Sequence, residues 1–285
     1  MIARREGHFA GQSGIDLFYQ SWTPQESGPR PTLVVTHGFA EHSECYRFTA
    51  EALAGFGWTT CAWDLQGHGR SEGKRGYVQN FRDYVEDFAC FLAFLKAQGI
   101  IEHGCVLVGH SMGGLITLSH LLRQRGEPNP KPVAVALSSP QLGLSLPIPP
   151  VKDFAAKILN RVLPTVTLYN ELKYTDLTHD PEFLKGYAAD PLRHDKISPA
   201  VYLGMVDDMA YVRDHAPSFQ YPLLIQAAGQ DRIVSLPDTE RFFARAASRQ
   251  KQLLIYKESY HEIFNDIERE KVFSDLNKFL VQVTS

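Results

Sequence analysis

The chain has 285 residues, enough for one large domain or two small ones at about 150 residues per domain. Its 44% hydrophobic and 21% charged residues give the balance of a globular protein with a sizeable core, which excludes a disordered, collagenous or disulfide-scaffold chain. The net charge of −3 supplies no basic field for nucleic acid or an acidic membrane, and four scattered cysteines (Cys45, Cys61, Cys90, Cys105) without a C-x-x-C read as buried thiols.

Met1 to Phe9 carries charge and no apolar h-region, and no apolar run reaches the roughly 18 residues of a membrane span, so a soluble, cytoplasmic protein is expected. From Pro31, short apolar runs alternate with helical patterns. PTLVVTHG (Pro31 to Gly38) and TTCAWDL (Thr59 to Leu65) read as buried strands, the second breaking into the glycine-rich loop QGHGRSEG. Asn80 is a helix N-cap with Asp83 in the first turn, and Val85, Phe88, Leu92 and Leu95 follow at helical spacing up to Gly99. CVLVGH is a strand, Met112 to Arg125 a helix closed by Gly126, and VAVALSS (Val133 to Ser139) a further strand.

This alternation predicts an α/β fold with a mostly parallel central sheet covered by helices on both faces. It stops near Pro140. Leu142 to Val151 (LGLSLPIPPV) is uncharged and too rich in proline for a regular element. Helical pieces follow without strands between them, among them Asp153 to Leu163 and Ala200 to Val212. Strands resume at Leu223 (LLIQAAG) and Lys251 to Ser259, with a helix begun by Ser235 and Pro237 and a last one placing Val272, Leu276, Phe279, Leu280 and Val283 on one stripe. The chain therefore divides into a core of residues 1–140 and 216–285 and a helical insertion of residues 141–215.

G-x-S-x-G occurs twice, around Ser111 and around Ser71. At Ser111 an apolar strand leads in and an amphipathic helix leads out, the strand–turn–helix of a nucleophile elbow; Ser71 has neither neighbour and reads as a loop serine. The glycines beside Ser111 permit a sharp turn, and the helix that follows aims its N-terminal N–H groups at any oxyanion formed there. A serine hydroxyl is a weak nucleophile and needs a base with an orienting carboxylate.

Elbow hydrolases order these as serine, acid, histidine. Of the eleven histidines only His261 lies beyond the last strand, and Asp231, just past LLIQAAG, satisfies the position of the acid; Asp214 and Asp238 are weaker rivals. The backbone amides of Phe39 and Met112 are the expected oxyanion hole. His37, Glu41 and His42 lack the H-E-x-x-H order and read as structural or substrate-facing, so no metal and no cofactor are expected; His68 is expected to hold its turn through backbone hydrogen bonds. LGLSLPIPPV is packing, the wall of an acyl tunnel, or a patch that touches lipid aggregates.

These motifs together resemble the α/β-hydrolase lipases of the monoacylglycerol lipase and lysophospholipase group. The resemblance rests on HGFAEHS from His37, DLQGHGRS from Asp64, GHSMGG from Gly109, GQD and YHE around Asp231 and His261, and AAKILNRVLP and YAADPLRH further along, and it covers nearly the whole chain. It implies an α/β-hydrolase fold with a helical cap and a serine hydrolase of single-chain lipid esters. Ser111, Asp231 and His261 match the family triad, the amides of Phe39 and Met112 its oxyanion hole, and Glu41 its head-group site. Transient contact of the cap with membranes or micelles, and peripheral membrane association, are further expectations. A general esterase, a thioesterase or a proline-type aminopeptidase would use the same triad, since fold and triad do not choose the acyl group. Two positions depart from the family. Cys45 stands where an arginine is common, with Arg47 two places on, and Phe264 stands where the monoacylglycerol lipases commonly have a histidine. Both departures bear on the glycerol head group.

Overall fold

The computed structural model describes residues 1–26, 28–124, 129–146 and 149–284. β1 (Ile2–Ala10) and β2 (Asp16–Pro24) form an antiparallel hairpin. The sequence reading starts the sheet at Pro31 and has no counterpart for it. Then come β3 (Thr32–Thr36), α1 (Arg47–Gly55), β4 (Thr60–Trp63), α2 (Arg82–Ala97), β5 (Cys105–His110), α3 (Met112–Arg123) and β6 (Ala134–Ser138). The expected end of the α3 helix, Arg125 and Gly126, lies outside the described residues.

Between β6 and the next sheet strand lie α4 (Pro150–Val162), β7 (Leu168–Tyr169), α5 (Pro181–Ala189), β8 (Lys196–Ile197) and α6 (Pro199–Asp214). The chain closes with β9 (Leu223–Ala228), α7 (Leu236–Arg245), β10 (Lys251–Tyr256) and α8 (Arg269–Thr284). The expectation of helices without strands after Pro140 needs correction, because β7 and β8 pair as a two-residue antiparallel ladder.

The main sheet runs β1-β2-β4-β3-β5-β6-β9-β10. The hairpin joins β4 antiparallel through β2, and every later pairing is parallel. Every residue of β3, β5, β6 and β9 is buried, which is why these strands read as unbroken apolar runs. Alternate side chains feed two cores. Val34 and Leu107 join Phe88 and Phe91 of α2 and Leu115 and Leu118 of α3 on one face. Leu33, Val35, Val106 and Val108 join Leu53 of α1 and Leu276 and Phe279 of α8 on the other. At about 1.5–3 kcal/mol for each large aliphatic or aromatic side chain fully buried, these two layers dominate the stabilisation.

α6 belongs to the first layer, burying Val201, Met205, Met209 and Val212 in it. α4 differs: it has no buried residue and leaves Val151, Phe154 and Val162 between 65% and 77% exposed. LGLSLPIPPV is divided the same way, with Leu142 in the core, Leu146 and Val151 exposed, and Pro147 and Ile148 outside the described residues. All four cysteines are free; Cys61 and Cys105 are buried as expected, whereas Cys45 and Cys90 are only half-buried. No helix among the described residues is long and apolar enough to cross a membrane.

Candidate active site

The elbow forms where β5 passes into α3. Ser111 sits at φ 50° and ψ −120°, a conformation costly for any residue with a side chain. Neighbouring strands hold it there: its N–H donates to the Ser138 carbonyl at 3.0 Å, and its own carbonyl accepts from Gln141 N at 3.0 Å. The flanking glycines are required by contact. A Cβ on Gly113 would lie 2.0 Å from the Thr36 carbonyl oxygen, and one on Gly109 would lie 2.7 Å from Cα of Gly114. Intrahelical bonding in α3 begins with Gly114 N–H and Leu115 N–H donating to the Ser111 carbonyl. The Met112 amide therefore stands at the helix start without an intrahelical acceptor.

The loop after β3 passes close by, since a Cβ on Gly38 would approach Cβ of Ser111 to 3.1 Å. His37 anchors this loop. Its Nδ1 donates to the Gly38 carbonyl at 2.6 Å and its Nε2 accepts from Leu65 N at 3.0 Å, so its role is structural. Burial pulls that imidazole down to about 3, and it is neutral. His68 bonds the Gln66 carbonyl within its own turn, as expected of it. Ser71 is also structural: it is buried, and its Oγ accepts from Phe18 N and donates to the Asp64 carbonyl.

Asp231 lies in the loop after β9 and His261 in the loop after β10. One carboxylate oxygen of Asp231 accepts from Ile233 N and Val234 N at 2.8 and 2.9 Å, and the other meets Nδ1 of His261 at 2.8 Å. Their side chains are 2% and 4% exposed. Burial by itself lowers the His261 pKa, but the charge and hydrogen bond of Asp231 outweigh it, and the net shift is upward. Burial pushes the Asp231 carboxyl up, and the His261 charge, that hydrogen bond and the two amides bring it below the ordinary range. Of the rival acids, Asp214 is exposed at the end of α6, and Asp238 in α7 pairs with Arg241 of the same helix and Arg213 of α6. His110 turns its Nδ1 to Ser138 and is held near pKa 3 by burial.

A cavity of about 480 Å³ opens over these loops. Phe39, Glu41, Ser111 and His261 line it, with Asp231 behind His261 and Met112 buried at the helix start. Leu144, Leu172, Leu177, Ile197 and Met205 supply apolar wall, all from the segment between β6 and β9.

At one side of the cavity sits a polar cluster. Oε1 of Glu41 accepts from Gly38 N at 2.5 Å and from the Tyr46 hydroxyl at 2.7 Å, and Glu262 accepts from Asn265 Nδ2 at 2.9 Å and from the Tyr187 hydroxyl. Between the two carboxylates lies Arg193, its Nη2 3.5 Å from Glu41, 3.4 Å from Glu262 and 3.5 Å from Sγ of Cys45. Burial and the neighbouring Glu262 charge hold Glu41 above the usual carboxylate range, whereas for Glu262 Arg193 overcomes burial and keeps it ionised.

Sequence reasoning missed Arg193. Arg47, two places after Cys45, is exposed on α1 beside Glu44 and Glu51 and does not line the cavity. Arg193 comes instead from the segment before α6. The only trace of it in the sequence is that YAADPLRH belongs to the motifs carrying the resemblance. Phe264 stacks on Phe273 in the second core layer.

A parallel sheet that raises a strained serine at an elbow and a carboxylate–histidine pair on adjoining loops defines a serine hydrolase of the α/β-hydrolase fold. The family model described as "Serine aminopeptidase, S33" matches residues 27–268, and the chain belongs to that family. It is 31% identical over 279 residues to a monoacylglycerol lipase of Mycolicibacterium smegmatis, covering 98% of this chain and 97% of that protein. It is 29% identical to the phospholipase YtpA of Bacillus subtilis, over 92% of this chain and 99% of that one. The crystal structure of the Paleococcus ferrophilus monoacylglycerol lipase superposes with a TM-score of 0.80 at 28% identity, covering 100% of both chains. The protein is accordingly an enzyme of the carboxylester hydrolase class.

Proposed function

We propose that this enzyme cleaves single-chain lipid esters through an acyl-enzyme intermediate, with monoacylglycerol as the preferred substrate class. The observation that carries the reading is the cavity itself. It joins an apolar wall to a buried polar cluster in one space of about 480 Å³, and Ser111 is part of the same lining. The lipid-cleaving relatives support the same chemistry.

In this mechanism His261 takes the Ser111 proton as Oγ attacks the ester carbonyl, and Asp231 holds the imidazolium that results. The amides of Phe39 and Met112 stabilise the tetrahedral oxyanion, each contributing about 3 kcal/mol. His261 then protonates the leaving alcohol, and water repeats the cycle on the acyl-enzyme. Residues 141–215 act as a cap, whose apolar stretch walls the cavity at Leu144 and whose helix α4 offers an apolar face to lipid aggregates.

The head group follows from charge. One guanidinium, Arg193, faces the two carboxyl groups of Glu41 and Glu262, so the cluster presents no net cation for a phosphodiester. A vicinal diol suits it better, because each hydroxyl donates to a carboxylate oxygen and accepts from the guanidinium. The Arg193 contacts of 3.4–3.5 Å and its unpartnered Nε leave that capacity unused. The same arrangement disfavours an aminopeptidase. An ammonium anchor needs a free buried carboxylate, and Arg193 already occupies the space between Glu41 and Glu262.

Initial rates on monoacylglycerols, lysophosphatidylcholines and peptide amides, with Ser111→Ala as the blank, test this. The expected order is monoacylglycerol, then lysophospholipid, with amides inert. A lysophospholipid preference would overturn the head-group assignment, and activity on amides alone would overturn the ester assignment.

A further inference from the structure

On the far side of Arg193 a second cavity, of about 390 Å³, opens to the surface between the start of α1 and α5. His42, Cys45 and Asp190 line it together, and none of them takes part in the chemistry proposed above. We propose that these three side chains form a binding site for a thiophilic divalent cation of the zinc class, joining the segment between β6 and β9 to the core.

The ligand atoms of the three residues all lie within 4.8 Å of one another. His42 precedes a single 3-10 turn, Ser43–Tyr46, which places Cys45 three residues on and on the same side. Asp190 ends α5 and reaches across, its Oδ2 2.7 Å from Nε2 of His42. Its other oxygen is fixed by Leu192 N at 2.9 Å, so the carboxylate is already oriented. An imidazole nitrogen, a thiolate and a carboxylate oxygen are three of the four ligands of a tetrahedral zinc site, and the open cavity supplies water as the fourth. The sulfur ligand selects against magnesium and calcium, which take oxygen sites.

Binding replaces the proton shared by His42 and Asp190 and the thiol proton of Cys45, both of which pass to solvent. The two anionic ligands then balance the double charge of the ion. The close hydrogen bond between His42 and Asp190 must open by roughly half an ångström to admit a metal with bonds of about 2.0–2.3 Å. Arg193, 3.5 Å from the sulfur, would repel a cation if it stood alone. It does not, because Glu41 and Glu262 face it at 3.5 and 3.4 Å. Since Arg193 follows Asp190 by three residues, an ion held here also fixes the backbone that carries Arg193 to the reaction cavity.

Titration of the full chain with Co²⁺ as a spectroscopic probe, and with Zn²⁺ against a chromophoric chelator, tests the site. One equivalent of Co²⁺ should give tetrahedral d–d bands and a thiolate-to-cobalt charge-transfer band. Cys45→Ser should abolish the charge-transfer band, and Asp190→Asn should weaken binding at least about tenfold. Should either variant fail to fold, the wild-type chain still answers: one equivalent of Zn²⁺ should protect Cys45 from maleimide alkylation, read by peptide mass spectrometry. Octahedral bands without charge transfer, unchanged binding in Cys45→Ser, or alkylation indifferent to Zn²⁺ would each overturn the site. Unchanged binding in Asp190→Asn would remove the link between the two segments.

Discussion

The loops at the carboxyl ends of β3, β5, β9 and β10 and the segment between β6 and β9 meet at one cavity but are built on opposite terms. The loops leave the main sheet, in which β3, β5 and β9 are buried throughout, and hydrogen bonds to the backbone pin their positions: Ser111 is tied to Ser138 and Gln141, and Asp231 to Ile233 and Val234. In the other segment, α4 is buried nowhere and β7–β8 is two residues long, while α6 enters the core with Leu142, Ala216 and Phe219 at the segment's ends. The reacting groups sit on the rigid part together with Glu41 and Glu262, whereas Arg193 and the apolar wall of the cavity come from the part with fewer anchors. That division lets one chemistry serve many acyl and head groups.

The largest expected effect lies on the rigid side. Ser111→Ala should lower kcat roughly a million-fold with melting temperature preserved, measured as ester hydrolysis and fluorophosphonate labelling. Asp231→Asn should cost about 10⁴-fold, because the imidazole loses its orienting partner. The raised pKa of His261 also has a sign that can be checked. His261 must be neutral to accept the Ser111 proton, so kcat/KM should fall on the acid side with a midpoint above that of an ordinary imidazole. A midpoint below the ordinary value would contradict the coupling to Asp231.

On the other side, Arg193→Met should leave Glu41 and Glu262 facing each other in a buried site, destabilising the fold by about 3–5 kcal/mol in denaturant unfolding. Adding Glu262→Gln should recover part of that loss, whereas full additivity of the two changes would show that the residues act independently. The smallest effect is expected at Ser71→Ala. Turnover should hold, and stability should drop by about 1–3 kcal/mol for the amide of Phe18 and the carbonyl of Asp64 left unpaired. A large loss of turnover there would reopen the choice between the two G-x-S-x-G matches.

How much was legible in the sequence follows from how local each signal is. β3, β4, β5, β6 and β9 were readable because a strand covered on both faces must be apolar throughout, and that pattern is local; β10, half-buried at the sheet edge, was readable from its shorter apolar run LLIY. The β1–β2 hairpin was passed over: β1 is mostly exposed at the sheet edge and carries no such run. The carboxylate–histidine pair was readable because chain order and strand ends restrict the choices to few. Arg193 was not, since its partner Cys45 is 148 residues away and nothing in the composition of either segment points to the other.

The sequence by itself determined the alternation of elements, the elbow at Ser111, and the residues that chain order allows as its partners, because each depends on period, turn chemistry or strand ends. Only the tertiary structure decided what surrounds Glu41. Long-range packing brought Arg193 to the place where a neighbouring position holds cysteine, sent Arg47 to the surface, and set His42, Cys45 and Asp190 around a second cavity. The physical reason is that a buried charge is satisfied by whichever opposite charge the fold carries to it, and separation along the chain does not enter that requirement.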